Sequence, residues 1–543
     1  MDSRQKNWHS ARKYSEEQLH VARIVLAEII KGAPTMEAIR SHPLMKGGYI
    51  SKHALVHAYR GMVQSGDITE DIGLLARIRM KPIRSLSGVS TVTVLTEPHP
   101  CPGECLFCPQ EIGLPKSYLK DEPGAARAYQ NHFDPYKQVI SRLESYYAIG
   151  HPLDKIELLI LGGSWSAYPL YYREQFIKRC LDAMNGKDAG TLSEAQHWNE
   201  STASRNVGLV VETRPDMITP HEIAHMRLLG VTKVQMGAQS FDDDILKKNC
   251  RGHSVADTLN ACALLRAAGF KIVLHWMPNL LGATPQSDQE DFKQMWAGGF
   301  CPDELKIYPT QLVKEAPLYA LWQRGQYHPY STEQLVDLIA GLKPSIPSYC
   351  RVNRIVRDIP SNYIVAGSKR SSLRQDVQRA LANRGEHCRC VRCREIRGQA
   401  VDLKDLKLSD HIYHPADAEE HFISYDSPDD RLAGYLRLSF PKPAEPGVRE
   451  TNREELFKEI PVLSGAALVR EVHVYGQSIS VGEEIEGAAQ HTGLGTSLLE
   501  RAAKLARKSG FTRLAVISAI GTRLYYEKRG FKRAGLYMVM DLM

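Results

Sequence analysis

Six times between Val89 and about Pro347 a short β-rich run gives way to a stretch of helical period, and no other feature of this 543-residue chain restricts its fold as tightly. The runs are STVTVLTE (90–97), IELLILGG (156–163), VGLVVET (207–213), KVQMGAQS (233–240), KIVLHWMP (271–278) and ELKIYP (304–309). Helices are predicted between them, among them 134–149, 220–229, 254–268 and 288–297. Strands that are apolar along nearly their whole length have no wet face, so they belong in a parallel sheet covered by helices on both sides. Six such units are enough for an open, partial (β/α) barrel, in which the working residues stand at the C-terminal strand ends.

The chain is too long for one core, and its segments differ in character. Residues 1–84 read as a small basic helical module: Leu19, Val21, Ile24, Val25, Ile29 and Ile30 fall at helical spacing over 16–31, Gly32 and Pro34 stop that helix, and a second runs over 51–65. Residues 85–364 hold the barrel. Residues 365–401 are Arg-rich and read as a linker carrying its own metal knot. Residues 402–543 return to an α/β pattern, with LVREVHVYG, a helix over 496–508, LAVISAI and a final strand YMVMDLM. With 43% hydrophobic and 24% charged residues the composition is that of a globular protein. The absence of a membrane-length apolar run or a secretory h-region predicts a cytoplasmic protein without a membrane partner.

Eleven cysteines are unsuited to disulfides in that compartment, and six lie in two tight clusters. Cys101, Cys105 and Cys108 sit in CPGECLFC, just after the first barrel strand. Three thiolates on one loop can hold three irons of a 4Fe–4S cluster, leaving a fourth iron open to the amino and carboxylate groups of S-adenosylmethionine. Structural zinc is the alternative, but it usually takes four protein ligands and no fourth lies nearby. Cys388, Cys390 and Cys393 in HCRCVRC form a second thiolate knot, for which zinc is expected as a clamp between domains. Cys180, Cys250, Cys262, Cys301 and Cys350 are expected to be small buried hydrophobes.

Further candidates recur at later strand ends. Gly162 and Gly163 follow the second strand, where glycine lets backbone approach a ligand; Glu212 and Arg214 end the third and can hold the ribose or methionine portion of S-adenosylmethionine; Gln239 ends the fourth. Taken singly, each is equally a turn or a helix cap. In the last segment Gln490, Gly493 and Gly495 give the form Q-x-x-G-x-G and open a helix whose first N–H groups suit a phosphate. The preceding strand end, Glu471, Val472, His473 and Val474, can pair with a pantetheine arm, and a hydroxyl of Tyr525 or Tyr526 can reach a thioester sulfur, unless these rings merely pack. Together these features predict acetyl-CoA binding.

Charge is placed unevenly. The net value is +7, and residues 1–84 carry 14 Lys and Arg against 8 Asp and Glu. A second basic stretch comprises Lys369, Arg370, Arg374, Arg379, Arg384, Arg389, Arg392, Arg394 and Arg397. Two basic regions suggest a polyanion, solvated helix faces being the alternative.

A partial radical S-adenosylmethionine barrel followed by a GNAT-type acetyltransferase domain resembles the catalytic subunit of Elongator and its stand-alone archaeal and bacterial homologues. CPGECLFCP, LDKIELLILGG, VETRPD, GAQSFDDDIL, EVHVYG, HTGLGTSLLE and GTRLYYEKRGF carry the match over nearly the whole chain. The resemblance implies a tRNA uridine carboxymethyl synthase acting at the wobble position of the anticodon stem-loop. In that chemistry a 5′-deoxyadenosyl radical takes hydrogen from the acetyl-CoA methyl, the carbon adds to uridine C5, and thioester hydrolysis leaves 5-carboxymethyluridine. It also implies an external electron donor, leaves a homodimer open, and places acetyl-CoA contacts on Lys155, on Glu471 to Val474, on Leu494, Gly495 and Thr496, and on Tyr526. Read alone, Lys155 is more often a solvated strand-entry lysine. The first cysteine gap is shorter than in many members and matches radical enzymes generally. Two other functions compete: a protein lysine acetyltransferase with a structural iron–sulfur part, for which no general base is assignable, and a non-enzymatic tRNA scaffold, for which a broken motif would speak.

Overall fold

The computed structural model describes residues 13–85, 87–396, 403–475 and 493–542. The expected strands form β1 (Ser90–Leu95), β2 (Lys155–Leu161), β3 (Arg205–Thr213), β4 (Lys233–Gln239), β5 (Lys271–Trp276) and β6 (Glu304–Ile307), and a seventh, β7 (Arg351–Arg354), extends the sheet beyond the six expected. All pair in parallel in sequence order, and β1 and β7 remain opposite edges, so the barrel is open along one side.

The strands are less uniformly apolar than they read. On β4, β5 and β6 one face carries polar residues: Lys233 and Gln235, Lys271 and His275 with Val273 between them, Glu304 and Lys306. A strand turns alternate side chains to opposite faces, so these residues line the barrel axis while Val234, Met236, Ile272, Leu274, Leu305 and Ile307 pack under the outer helices. The helix Val255–Ala267 begins in a capping box, the Ser254 hydroxyl accepting from the Asp257 N–H and the Asp257 carboxylate from that of Ser254. The N-terminal module has its own core of Val25, Leu26, Ile29, Leu55, Val56 and Tyr59, and the Arg60 guanidinium lies 3.4 Å over the Tyr147 ring.

Residues 373–394 are no linker. The helix Leu373–Asn383 lies against Thr332–Leu342, and Leu373, Val377, Leu381, Cys390 and Val391 enter the barrel's own apolar cluster. Of the scattered cysteines, Cys180, Cys262, Cys301 and Cys350 are buried as expected. Cys250 is exposed, in a turn with φ 52°.

The C-terminal half is a second seven-stranded sheet, led by β8 (Lys407–Tyr413), β9 (Ala418–Asp426), β10 (Leu432–Pro441), β11 (Ala466–Val474) and β12 (Arg513–Val516). It sits beneath the N-terminal ends of the barrel strands, opposite the cysteine loop that follows β1. Charge forms much of the junction. A bulge at Arg470 turns its guanidinium out of β11 onto Asp303 at 2.6 Å and Glu420 at 2.8 Å, while Arg437 reaches Asp303 at 3.3 Å. Burial alone would raise the Asp303 carboxyl, but Arg470 and Arg437 hold it down at about 2.

Candidate active site

The cysteine loop is pinned from two sides: Leu106 N–H donates to the Asn249 carbonyl at 3.1 Å, and Leu318 N–H to that of Leu106 at 2.8 Å. Cys105 is buried, Cys101 and Cys108 half-buried, and burial followed by the neighbouring Cys105 pushes the Cys108 thiol up to about 12. One tetrahedral ion with bonds of about 2.3 Å would hold its sulfurs about 3.8 Å apart. Among the described residues the only thiols so gathered are Cys388, Cys390 and Cys393, within 4.8 Å of one another. Cys101, Cys105 and Cys108 are spread more widely, as ligands to three separate irons must be.

Around this loop the strand-end candidates divide. Glu212 lines the barrel cavity, its carboxylate 4.0 Å from His275 Nδ1. Gln239, at φ 71°, lines it too, and its Oε1 is buried with no hydrogen-bond partner among the described residues. Gly162 owes its identity to the barrel: at φ 126° a Cβ would meet Thr96 Oγ1 at 2.0 Å, whereas at Gly163, with φ 103°, a Cβ would only touch the Lys116 carbonyl oxygen at 3.9 Å. Arg214 faces the cysteine loop, forked to Asp216 through Nε at 2.9 Å and Nη2 at 3.1 Å.

In the second sheet, β11 and β12 pair from Ala466↔Arg513 to Val469↔Val516 and then part, opening a V beside Glu471 to Val474. Gly493, at φ 79°, starts the helix Leu494–Lys508 with no side-chain cap, leaving the first-turn N–H groups to an outside acceptor. A Cβ on Gly495 would lie 2.6 Å from the Tyr525 hydroxyl, and the Tyr526 ring packs edge-on to Tyr525, with centroids 5.2 Å apart. Gln490 lies outside the described residues. Glu471 points away from the V: its carboxylate bonds Lys271, Tyr435 and Arg437, and despite burial these cations keep it well below the usual range. His473 is the reverse case. Burial lowers it to about 4, so the imidazole is neutral, and its Nε2 meets no partner among the described residues.

A cavity of about 1120 Å³ runs along the barrel axis from one set of groups to the other. Glu212, Gln239 and His275 line its upper part, Glu157, Lys233, Lys271 and Glu304 its waist, and Tyr435, His473 and Tyr526 its floor. Lys155 begins β2 next to this waist, is half-buried, and does not line the cavity; burial lowers its amine. Sequence reasoning missed the waist entirely. Its signal was the period-two polarity of KVQ, KIVLH and ELKIY, hidden inside runs read as continuously apolar. The cavity opens between β1 and β7, flanked by Arg142 on one lip and by Arg354, Arg374 and Arg392 on the other. Much of the second basic stretch is bound internally, with Arg379 on Asp376, Arg384 on Asp337, and Arg389 and Arg394 on Asp430.

At the second cysteine group, hydrogen bonds from Cys388 and Cys393 push the Cys390 thiol well below its usual range. Lys343, fully buried, lends its charge to all three sulfurs, and its Nζ has no hydrogen-bond partner among the described residues. These residues fit one bound divalent ion.

Known proteins repeat this layout. The chain matches the Radical SAM superfamily over residues 99–294 and the Radical_SAM C-terminal domain over 302–383. It is 41% identical to a tRNA uridine(34) acetyltransferase of Dehalococcoides mccartyi, over 84% of this chain and 99% of that one. It is 35% identical to Elongator complex protein 3 of Homo sapiens, over 86% and 87%. Among solved structures it resembles the archaeal Methanocaldococcus infernus Elp3 with an N-terminal deletion, with a TM-score of 0.71, 35% identity, and coverage of 84% and 99%. Among the described residues no helix is long and apolar enough to cross a membrane.

Proposed function

The chain belongs to the radical SAM family of tRNA uridine(34) acetyltransferases and Elongator complex protein 3, and from that premise we propose that it is a tRNA wobble-uridine carboxymethyl synthase. The observation that carries this reading is the single cavity lined by the barrel's strand ends above and by the acetyltransferase-type sheet below. Two independent activities would have no need of a shared interior.

Cys101, Cys105 and Cys108 would hold a 4Fe–4S cluster, with Gly163, Glu212 and Gln239 beside the S-adenosylmethionine it engages. When bound, that cluster supplies one-electron cleavage of S-adenosylmethionine to methionine and a 5′-deoxyadenosyl radical. The V between β11 and β12, the N–H groups at Gly493 to Thr496, and Tyr526 would seat acetyl-CoA with its acetyl end towards the barrel axis; Lys155 would contact it only if the arm passes the strand entry. A hydrogen atom would leave the acetyl methyl for the 5′-deoxyadenosyl radical, and the resulting carbon radical would add to uridine C5. C5 would then give up its hydrogen as a proton and pass one electron to a one-electron acceptor of the iron–sulfur class, and hydrolysis of the thioester would release CoA and leave 5-carboxymethyluridine. Neutral His473 can accept a proton from the attacking water. Cys388, Cys390 and Cys393 would hold zinc, bracing β7 against the second sheet, with no chemistry of its own.

Acetyl-CoA deuterated in its methyl group should place deuterium in 5′-deoxyadenosine, and only when tRNA is present, since closure around the substrate gates such sites. Tyr526→Phe should lower thioester turnover and leave the iron–sulfur spectrum intact. Label found on protein lysines, with unlabelled deoxyadenosine, would instead identify a lysine acetyltransferase and overturn the proposal.

The RNA interface follows from charge. Residues 1–84 carry a basic excess in sequence, whereas Arg379, Arg384, Arg389 and Arg394 of the Arg-rich stretch are ion-paired internally. We therefore expect removal of residues 1–84 to weaken tRNA binding and to flatten the slope of log affinity against log salt, by about 0.7–0.9 for each phosphate no longer neutralised. Equal slopes for the full and shortened chains would exclude the module from the interface. The uridine itself would enter between β1 and β7, splayed from a single-stranded loop.

A further inference from the structure

The turn after the helix Asp243–Lys248 presses Arg251 against the cysteine loop. The residue is 6% exposed, and its guanidinium donates through Nη1 to Cys105 Sγ at 3.5 Å and through Nη2 to the Gly237 carbonyl at 2.6 Å. Gly237 leaves room for two side chains here: a Cβ there would stand 2.9 Å from Arg251 Nη2 and 2.5 Å from Gln239 Nε2. Behind it, Arg214 Nη2 donates to the Arg251 carbonyl at 3.0 Å. Arg214 Nη1, buried without a hydrogen-bond partner among the described residues, lies so close to the loop that a Cβ on Gly103 would be 2.1 Å away. Arg251 thus bonds the Cys105 sulfur directly, and Arg214 places a second permanent cation beside Cys105 and Cys101.

We infer that Arg251 is a positioning residue that sets the reduction potential at Cys105, with Arg214 supporting it. This rests on the 4Fe–4S assignment proposed above. Reduction adds one electron, drawn from a low-potential donor of the reduced flavodoxin or ferredoxin class, and so adds one negative charge at the thiolates. A buried N–H···S bond from a cation stabilises that added charge and makes the electron easier to accept. Because Arg251 directs both terminal nitrogens to protein atoms, it acts on the sulfur and leaves S-adenosylmethionine to other groups.

The experiment is a potentiometric titration of the anaerobically reconstituted full-length enzyme, followed by the electron paramagnetic resonance signal of the reduced site. In Arg251→Gln the midpoint should move negative by about 59 mV or more, a tenfold change in the reduced-to-oxidised ratio at fixed poise. Iron content and the KM for S-adenosylmethionine should be unchanged. Formation of 5′-deoxyadenosine should fall with a weak donor and recover with titanium(III) citrate. Arg251→Lys, which keeps the cation but loses the paired hydrogen bonds to Cys105 and Gly237, should shift the midpoint in the same direction by a smaller amount and decides the matter if Arg251→Gln fails to load iron. A loaded variant with an unmoved midpoint, or a raised KM for S-adenosylmethionine with no shift, overturns the inference. Absence of any reduced-site signal in the unaltered protein would instead refute the cluster assignment itself.

Discussion

Cys105→Ala is expected to abolish the brown iron–sulfur chromophore together with all reductive cleavage of S-adenosylmethionine. Of the three loop cysteines it is the most enclosed and the one bonded to Arg251. No neighbouring side chain can replace it: among the described residues Cys388, Cys390 and Cys393 are the only compact metal-ligating group, and they belong to the second site. With two thiolates left, one more iron loses its protein ligand and the cluster is not retained. Iron per chain, the visible spectrum and chromatographic 5′-deoxyadenosine would all drop to background. The exposed Cys250 gives the control, since Cys250→Ser should change none of them. Full iron and full cleavage in Cys105→Ala would remove the basis for placing the cluster on this loop.

The largest loss of stability should come from Asp303→Asn. Asp303 is completely buried at the start of β6 and answers two buried arginines from the other domain. Removing one partner of such a group strands the remaining charge at a cost of about 3–5 kcal/mol, enough to lower the melting midpoint by roughly 5–10 °C. The cysteine loop proposed to hold the cluster lies at the opposite end of the barrel, so the iron–sulfur spectrum should survive while tRNA-dependent use of acetyl-CoA is lost. The same residue fixes an acid limit. Its folded pKa of about 2 is below the ordinary carboxyl value, so its contribution is full above about pH 4 and drains away between pH 4 and 2. Glu304, held at about 2 by Lys233 and Lys271 against its burial, titrates in the same direction. A midpoint within a degree of the unaltered protein would show that water already compensates this junction.

The sequence announced its strands best where a run of apolar residues dominated, as in LLIL (158–161) and LVV (209–211). It failed on β7, Arg351–Arg354, because Val352 is the only apolar residue there and the flanking side chains serve the cavity mouth. Local motifs identified the cysteine loop and the Gly493 helix start, since spacing along the chain is itself the ligand geometry. Arg251 escaped because it meets Cys105 across 146 residues, and nothing in CRGHS says which loop it will touch. Glu471 sat in a recognisable motif, but Lys271 and Arg437, distant in sequence, drew its side chain into ion pairs, while Arg214 was taken by Asp216 of its own motif. Motif position indicated the neighbourhood of each, and only the packed structure gave its direction.

Consider the junction at Asp303 from the standpoint of synthesis. Arg470 lies 167 residues further along the chain than the aspartate it answers. At about 5–20 residues per second, a ribosome delivers that arginine roughly ten to thirty seconds after Asp303 has emerged. Until then the lower end of the barrel must stay wet, its carboxylates hydrated and its last packing postponed. A truncated transcript or a stalled ribosome would therefore release a barrel with its charged floor open, a form that quality-control proteases can distinguish from the finished enzyme.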